Sequence, residues 1–315
     1  MKRINLLVLL SLPLLFLAQA FLGAKPLPAL VNVHESIEGL PDVVKIQTVM
    51  KELGIKKTVL AVMPQDLLYF DEKEDKNLGL YKTNEEAVMK TVKVYPEEFD
   101  FFCTIDPEDP ILVEKVDECL DKGALGVKMY NGYSYTHSIS LASVELDAFY
   151  SRLTNLGGIL MLPVNTSEYG QELDALLTLH PDLPVICPHF CLSSKNLDRL
   201  DELMDAHPNL YVDTSFGHIT YVHDGLSSIS QHEEAFQAFF DAHQDRILFG
   251  TSTVVTSTND KNTEWVKGLY QDYLAILSEG EFESHLDKGV VYHGLDLPYP
   301  LLHKILLDNW NFLTS

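Results

Sequence analysis

Short apolar runs alternate with longer amphipathic stretches along most of the chain. The apolar runs cover residues 30–36, 58–63, 100–105, 126–130, 159–165, 185–190, 210–215 and 246–252. Stretches between them, such as VDECLDKG and NLDRLDELMDAHPN, have the apolar spacing of helices and end in Gly or Asn. Strands that alternate with helices predict βαβ units in a parallel sheet. Eight such units match the size of a closed (β/α)8 barrel, the TIM barrel of the α/β class.

A doubly wound open sheet could also hold eight strands. However, no G-x-G-x-x-G sequence follows the first apolar run, and no Walker-type phosphate loop occurs in the chain. No linker rich in Pro, Gly or Ser divides the chain, so we predict a single barrel domain over residues 28–315. The longest irregular segments, 65–85 and 253–263, each follow a strand, on the barrel face where active sites assemble.

The N-terminus has the pattern of a secretory signal peptide. A basic pair, KR, precedes an apolar run over residues 6–17, and the sequence AQA at 18–20 offers a small-x-small cleavage site. We therefore predict a signal peptide over residues 1–20 and a mature protein that is secreted or periplasmic. An uncleaved membrane anchor is the alternative, because the apolar character continues to Leu22.

Composition excludes some classes of partner. Hydrophobic residues make up 46% and charged residues 22% of the chain, which is enough for a full core. The formal net charge is −23, and this excess of carboxylates argues against nucleic acid and anionic membranes, which are bound by clusters of Lys and Arg. Contact with a membrane is expected only if the signal peptide is not cleaved.

Four cysteines are too few for a disulfide framework in a chain of this length. Cys103, Cys119, Cys187 and Cys191 are therefore expected to be small buried core residues. Within VICPHFC, Cys187, His189 and Cys191 alternate, so an extended strand would place them on one face. That face could be a soft-metal site or a Cys–His nucleophile pair. Core cysteines around one structural histidine are the favoured interpretation.

Several predicted strands carry distinctive sequences in a fixed order. They are VNVHESIEG in the first, FDFFCTIDPEDP in the third, GALGVKMY in the fourth, HPDLPVICPHF in the sixth, HPNLYVDTSFG in the seventh and RILFGTS in the eighth, followed by LDLPYPLLHKILLDNWNFL. In this order they resemble the amidohydrolase-related branch, family 2, of the amidohydrolase superfamily. The resemblance covers nearly all of the mature chain. It implies a TIM barrel and suggests a homodimer.

In that family a divalent ion lies at the C-terminal mouth of the barrel, and the resemblance implies where its ligands would be. The first-strand histidine pair corresponds to His34 and Ser36, the fifth-strand ligand to Asn165, the sixth-strand histidine to His189 and the eighth-strand aspartate to Ser252. Hydroxyls and amides are weak neutral donors for zinc, so only the two histidines remain good ligands. We therefore expect no metal, with zinc or another divalent ion held by His34 and His189 as the alternative.

Other candidate residues lie at the ends of later strands. Lys128 could bind a substrate carboxylate or stabilise an oxyanion, or it could form a buried ion pair with Glu35. Asp213 ends the seventh strand and is either a surrogate base or a structural aspartate. His218 and His223 follow in the same loop. Tyrosines 130, 133 and 135 would either line an aromatic pocket or pack within their loop.

Two functions remain open. The favoured one is an exported hydrolase or decarboxylase of a small carboxylate-bearing substrate, in which the histidines carry protons and the lysine anchors an anion. The alternative is a catalytically inactive barrel that binds a small molecule or a partner protein. The residues predicted to act are His34, His189, Lys128 and Asp213 as catalytic groups and Tyr130, Asn165 and Ser252 as substrate contacts.

Overall fold

A parallel sheet of eight strands forms the centre of the computed structural model, which describes residues 27–64, 67 and 83–315. The strands are β1 (Leu30–Glu35), β2 (Ile55–Ala61), β3 (Phe99–Thr104), β4 (Gly126–Lys128), β5 (Ile159–Met161), β6 (Val185–Cys187), β7 (Leu210–Asp213) and β8 (Ile247–Leu248). They follow one another around the sheet in sequence order. The Val33 amide donates to the Phe249 carbonyl at 2.9 Å, which joins β1 to the end of β8. The predicted single-domain TIM barrel is confirmed.

Helices follow the strands and pack around the sheet. They are α1 (Leu40–Leu53), α2 (Glu85–Val94), α3 (Leu112–Asp121), α4 (Val144–Asn155), α5 (Thr166–Leu179), α6 (Leu197–Ala206), α7 (Ile219–Gln231), α8 (Glu233–Ala242), α9 (Thr263–Ser278), α10 (Tyr299–His303) and α11 (Asn309–Leu313). Asparagine side chains accept a backbone amide at the start of α5, α6 and α9, which are Asn165, Asn196 and Asn262. Two short antiparallel strands, β9 (Glu281–Glu283) and β10 (Val291–His293), follow α9.

Apolar side chains are buried on both faces of the sheet, as parallel sheets require. One buried cluster joins strand residues from around the barrel to the last helix; it contains Val31, Val33, Val59, Phe102, Ile159, Met161, Ile186, Tyr211, Leu248 and Trp310. A larger cluster joins the other strand face to the surrounding helices. The strands are therefore anchored on both sides, and polar side chains at their carboxyl ends are held in fixed positions.

The sixth strand is shorter than its apolar pattern predicts. It was expected to extend through residue 190, but β6 ends at Cys187, immediately before Pro188. Proline has no backbone N–H and cannot continue the ladder. Residues 189–192 form a short turn instead. The expectation that Cys187, His189 and Cys191 alternate along one strand is therefore wrong.

All four cysteines form disulfides, Cys103–Cys119 and Cys187–Cys191. Their predicted burial is confirmed. The soft-metal and Cys–His nucleophile hypotheses fail, because each requires a thiolate that the sulfur–sulfur bond removes. The pairing depends on three-dimensional proximity, with Cα–Cα distances of 6.0 and 5.1 Å, which no spacing in the sequence reveals.

Removal of the Cys103–Cys119 disulfide by a double Cys→Ala substitution is expected to lower the free energy of unfolding by about 3 kcal/mol. The bond joins β3 to α3 across a sequence separation of 16, and a loop of that length restricts the unfolded chain appreciably. Urea denaturation of the two proteins measures the difference. Equal midpoints and slopes would show that the bond adds nothing to stability.

Two predicted features lie partly or wholly outside the described residues. The predicted signal peptide falls in residues 1–26, and most of the irregular segment 65–85 is also outside. The segment 253–263 is described and runs from β8 to α9, where Val255 pairs with Ile37 beyond β1. Among the described helices, none combines the length and apolarity needed to span a bilayer.

Candidate functional site

A cavity of about 500 Å³ opens at the carboxyl ends of the strands, where barrel active sites form. Lys128, the last residue of β4, lines it together with His189, which follows β6. Aromatic side chains form much of the remaining lining; they are Tyr130, Tyr133, Tyr135, Phe216, Tyr221 and Trp265. The rings of Tyr133 and Tyr135 stack at a centroid distance of 5.1 Å. The cavity is large enough for a small organic molecule.

Three buried side chains form a line that begins at Lys128 in the cavity wall and runs away from the cavity. Lys128 Nζ lies 2.6 Å from Nε2 of His34, and Nδ1 of His34 lies 2.7 Å from Oδ2 of Asp213. A carboxylate can only accept, so Nδ1 of neutral His34 donates to Asp213 and Nε2 accepts from the Lys128 amine. The result is one directed chain of hydrogen bonds from the amine at the cavity to the buried carboxylate.

Asp213 also orients His189. Its second oxygen, Oδ1, accepts from the backbone amides of His189 at 2.9 Å and Ser215 at 3.0 Å, and from the Ser215 hydroxyl at 2.5 Å. The hydrogen of that hydroxyl points to Asp213, so its oxygen accepts from Nδ1 of His189 at 2.8 Å. The lone pair of His189 is therefore on Nε2. One carboxylate sets the tautomers of both histidines.

The turn that carries His189 has a left-handed backbone. The φ angles of residues 189–192 are +61°, +50°, +51° and +49°, a conformation that costs an L-residue roughly 1–2 kcal/mol. The Cys187–Cys191 disulfide links the end of β6 to the third residue of this turn, and Phe190 packs among four aromatic rings. These contacts hold His189 in place against the backbone preference.

Two glycines leave space for the orienting groups. Gly217 has a φ of +76°, and a Cβ there would lie 3.3 Å from Cε1 of His189. At Gly250 a Cβ would lie 2.9 Å from Oδ2 of Asp213. Glycine is therefore required at both positions for the imidazole and the carboxylate to keep their places.

Residues at the end of β1 have different partners. The register of β1 against β2 shifts between Asn32 and Glu35. The Asn32 amide donates to the Thr251 hydroxyl at 2.8 Å, and the Ser36 hydroxyl donates to the Ala61 carbonyl at 3.0 Å. Of these residues at the end of β1, only His34 contacts both Asp213 and the Lys128 amine.

Glu35 is a second buried carboxylate beside the site. It accepts from the amides of Ser36 and Val254 at 2.8 Å, from Thr251 Oγ1 at 2.9 Å and from the Tyr270 hydroxyl at 2.5 Å. These bonds tie the loop after β8 to the end of β1. The amine of Lys128 contacts His34, and Glu35 acts on it through charge alone.

Burial is the largest single influence on the pKa values of the site residues. It lowers the pKa of Lys128 to about 7, although the charges of Asp213 and Glu35 oppose the shift. Burial also lowers the pKa of His34 to about 4 and that of His189 to about 3. For Asp213, burial works to raise the pKa, but the charge and hydrogen bond of His34 outweigh it and hold the pKa below its usual range. Near neutral pH both imidazoles are therefore neutral and Asp213 is ionised.

These shifts predict that acid destabilises the fold. Below the ordinary histidine pKa of about 6.5 the unfolded chain takes up protons at His34 and His189, whereas the folded protein does so only near pH 4 and 3. Stability should therefore fall as the pH drops from 6.5 towards 4, by up to about 1.4 kcal/mol per pH unit for each histidine. Urea denaturation across this pH range measures the slope.

The matched control compares the slopes of two variants. His189→Asn should have a shallower slope than the parent, because it lacks one of the two buried imidazoles. His293→Asn removes an exposed histidine and should keep the slope of the parent. A His189→Asn slope equal to that of the parent would contradict the assignment.

The remaining candidate residues are divided between the cavity lining, a helix cap and the protein surface. Ser252 lines the cavity, and its amide donates to the His34 carbonyl at 2.7 Å. Asn165 is outside the cavity lining, because its side chain caps α5 by accepting from the Ser167 amide. His218 lines the cavity at the start of α7, whereas His223 pairs with an aspartate on the surface.

A cluster of three potential metal ligands lies in the site. His34, His189 and Asp213 can each offer one ligand atom, and these atoms lie within 4.8 Å of one another. However, Nε2 of His34 faces the Lys128 amine at 2.6 Å, and both oxygens of Asp213 accept protein hydrogen bonds. A zinc site needs at least three donors with available lone pairs. As placed, the cluster does not fit a divalent ion unless the amine is displaced.

Ser215 and Tyr270 are parts of the site that the sequence did not point to. Ser215 connects His189 to Asp213, and Tyr270 donates to Glu35 from α9. The two-residue spacing of Asp213 and Ser215 at a strand end was a signal for the first. Tyr270 lies 235 residues from its partner in sequence, so no local pattern could indicate it.

The fold and the site together define a TIM-barrel protein with a lysine, two histidines and an aspartate at the carboxyl mouth. The family model described as Amidohydrolase matches residues 59–309. The chain therefore belongs to the amidohydrolase family, which confirms the membership expected from its motifs. No match was found among curated proteins.

Solved structures share the fold at low sequence identity. An uncharacterized TIM-barrel protein from Bordetella bronchiseptica is 16% identical with a TM-score of 0.60, over 90% of this chain and 97% of that one. A "probable 2-pyrone-4,6-dicarboxylic acid hydrolase" from Acinetobacter baumannii, with citric acid bound, is 12% identical with a TM-score of 0.59, over 91% and 99%. A 5-carboxyvanillate decarboxylase from Novosphingobium aromaticivorans, complexed with manganese, is 13% identical with a TM-score of 0.53, over 90% and 95%.

Proposed function

We propose that the protein is an exported, metal-independent hydrolase or carboxy-lyase acting on a small carboxylate-bearing substrate. The observation that carries the proposal is the position of Lys128, whose amine lines the cavity while His34 and Asp213 hold it from behind. A cation in a buried site attracts a carboxylate more strongly than one in water. Two structural neighbours are named for reactions of carboxylic acids, which supports this substrate class.

The cavity favours a flat substrate. Stacked Tyr133 and Tyr135 line it, and the ring of Tyr130 lies 4.7 Å from Lys128 Nζ. Aromatic walls bind planar organic molecules through burial and stacking. We therefore propose an aromatic or similarly planar acid whose carboxylate approaches Lys128. Asn165 has no part in this arrangement, and Ser252 offers a hydroxyl to the same cavity.

His189 is the proposed proton carrier. It is neutral at physiological pH, it lines the cavity, and its lone pair is on Nε2. In hydrolysis this nitrogen would take a proton from the attacking water, and in decarboxylation it would relay a proton to the carbon that loses the carboxylate. His34 and Asp213 do not line the cavity and act instead as positioning residues for Lys128 and His189.

The proposed export has independent support in the disulfides. Cys103–Cys119 and Cys187–Cys191 are the kind of bond that persists in oxidising compartments and is rare in the cytosol. This agrees with the signal peptide predicted from the sequence. Secretion or periplasmic export followed by oxidation would account for both features.

A test measures turnover, metal content and melting temperature together. The purified full chain, produced in an oxidising compartment, is offered hydroxybenzoates and planar dicarboxylic acids with and without a chelator. We expect turnover of at least one acid that the chelator leaves unchanged, less than one metal ion per chain and no drop in melting temperature. The thermal measurement is sensitive, since an ion at 100 times its dissociation constant adds about 2.7 kcal/mol to stability.

Two outcomes would contradict the proposal. One tightly held metal per chain, with a chelator-induced drop in melting temperature and activity, would show that the ion displaces Lys128 from His34. Saturable binding of an acid without turnover would favour the inactive binding barrel. That second candidate has its own observation, because Ser252 stands where the family has its catalytic aspartate.

A further inference from the structure

We propose that Tyr130 and Thr253 are specificity-determining residues, whose hydroxyls bind an uncharged oxygen substituent on the acid that Lys128 holds. This selectivity rests on the proposed function only in that the ligand is a carboxylic acid. The preferred acids carry a hydroxyl, a methoxy or a carbonyl group in addition to the carboxylate. An unsubstituted aromatic acid, or one with a second carboxylate, binds less tightly.

Two buried hydroxyls in the cavity wall have no hydrogen-bond partner among the described residues; they are those of Tyr130 and Thr253. Tyr130 follows β4 and Thr253 follows β8, and both line the cavity at 4% exposure. A buried polar group without a partner destabilises a fold, and native structures keep few of them. A ligand that fills the cavity can supply the missing partners, so two such hydroxyls in one wall indicate a ligand with polar atoms.

Tyr130 lies next to the amine that would hold the carboxylate. The centroid of its ring is 4.7 Å from Lys128 Nζ, and the hydroxyl is at the end of this ring. Val254, the neighbour of Thr253, packs against the same apolar cluster as Tyr130. A single small acid can therefore contact the amine through its carboxylate and this side of the cavity through a substituent.

The loop after β8 has a backbone conformation that its residue types disfavour. Ser252 and Val254, on either side of Thr253, have φ angles of +45° and +54°, and a positive φ is rare for a β-branched residue. The Val254 amide donates to Glu35 Oε1 at 2.8 Å, and its carbonyl accepts from Lys261 Nζ at 2.9 Å. Strained backbone is concentrated at ligand-binding sites, and here these two bonds fix Thr253 in the cavity wall.

The chemistry of the two hydroxyls favours an uncharged oxygen over a second carboxylate. Each hydroxyl can donate one hydrogen bond and accept others, so it can pair with a phenol, ether or carbonyl oxygen. A second buried carboxylate would need a cation beside it. Lys195 and Lys261 also line the cavity, but Lys195 pairs with Asp224 at 3.0 Å and Lys261 donates to the carbonyl of Val254.

The experiment compares acids that differ only in the substituent. The full chain, produced in an oxidising compartment, is titrated with the three hydroxybenzoate isomers and with the methylbenzoate of each substitution pattern. Isothermal titration calorimetry measures the affinities. In the parent, at least one hydroxybenzoate should bind about threefold to tenfold more tightly than its methyl counterpart, which is the effect of one hydrogen bond. Tyr130→Phe and Thr253→Val should each reduce this preference without weakening the binding of the methylbenzoate.

Two control variants remove hydroxyls that already have partners. Thr256 lines the same cavity, but its hydroxyl is bonded to that of Thr258 at 2.8 Å, so Thr256→Val should keep the preference. Tyr150→Phe removes a buried hydroxyl that donates to the Leu141 carbonyl at 2.8 Å and should lower the melting temperature. Tyr130→Phe should not lower it, because the hydroxyl that it removes is unpaired within the described part of the chain.

Equal affinities for every hydroxybenzoate and its methyl counterpart, or a preference that both variants retain, would overturn the inference and leave the proposed function in place. A melting temperature lowered as much in Tyr130→Phe as in Tyr150→Phe would assign the Tyr130 hydroxyl a structural role and also count against it. A preference that the variants lose, without turnover of any acid, would support the inference and count against the hydrolase or carboxy-lyase. Absence of binding by all of the acids would contradict both. If Tyr130→Phe does not fold, Thr253→Val provides the same comparison.

Discussion

The Asp213→Asn variant is expected to lose about 10²–10⁴-fold in turnover and about 3–5 kcal/mol of stability. Both oxygens of Asp213 accept hydrogen bonds, Oδ2 from His34 and Oδ1 from His189 and Ser215. An amide has only one oxygen, so one side of the residue must face a donor with its own NH₂ group. Either the tautomer of His34 or the orientation of His189 is then lost. Turnover assays and urea denaturation measure the two effects.

The control for this substitution is Asp117→Asn. Asp117 pairs with Arg152 at a partly exposed position on α3, so its loss should change stability by less than about 1 kcal/mol and leave turnover as in the parent. An Asp213→Asn protein with parental stability and turnover would show that the carboxylate does not organise the site. A variant that is unstable but fully active when folded would limit Asp213 to a structural role.

The Lys128→Met variant is expected to lose about 10²–10³-fold in turnover while its stability stays equal to that of the parent or rises. Methionine has a similar length and no charge. Burial lowers the lysine pKa to about 7, which means that the fold disfavours the charged amine. Methionine removes the cost of burying this charge, which offsets the loss of the hydrogen bond to His34. We therefore expect a large fall in turnover without a fall in the melting temperature.

A second measurement makes this prediction decisive even if the reaction proves slow. Carboxylic acids that raise the melting temperature of the parent should no longer do so in Lys128→Met, because the cation that pairs with them is gone. Lys195→Met removes an exposed lysine from the same cavity and should keep most of the shift. Unchanged ligand-induced shifts in Lys128→Met would exclude the lysine as the anion contact.

The barrel could be predicted because its signals are local and repeated. Apolar runs separated by amphipathic helices recur along the chain, and each strand found lies within or beside a predicted run. Errors fall where a local feature breaks the pattern. The apolar residues around Pro188 predicted a longer sixth strand, but the strand ends before the proline. Cys187, His189 and Cys191 therefore do not share a strand face.

The contacts within the site were less predictable than the positions of its four central residues. His34, Lys128, His189 and Asp213 were all chosen as strand-end candidates, and all four lie at the carboxyl mouth. Their mutual arrangement depends on the bulge in β1 and the left-handed turn after β6, which side-chain periodicity cannot express. Asn165 illustrates the opposite case, since a residue placed by family position serves here as a helix cap.

The turn at residues 189–192 links the chemistry of this barrel to the cell in which the chain is made. Three of its four left-handed residues, 189–191, belong to the loop that the Cys187–Cys191 bond closes, and the bond forms only where thiols can be oxidised. A recombinant chain made in the cytosol of an ordinary bacterial host would complete its barrel core but lack this covalent tie. Such a preparation would pass a test of secondary structure with His189 out of position. Activity screens on cytosolic material would then report an inert protein because of the production host and not because of the sequence.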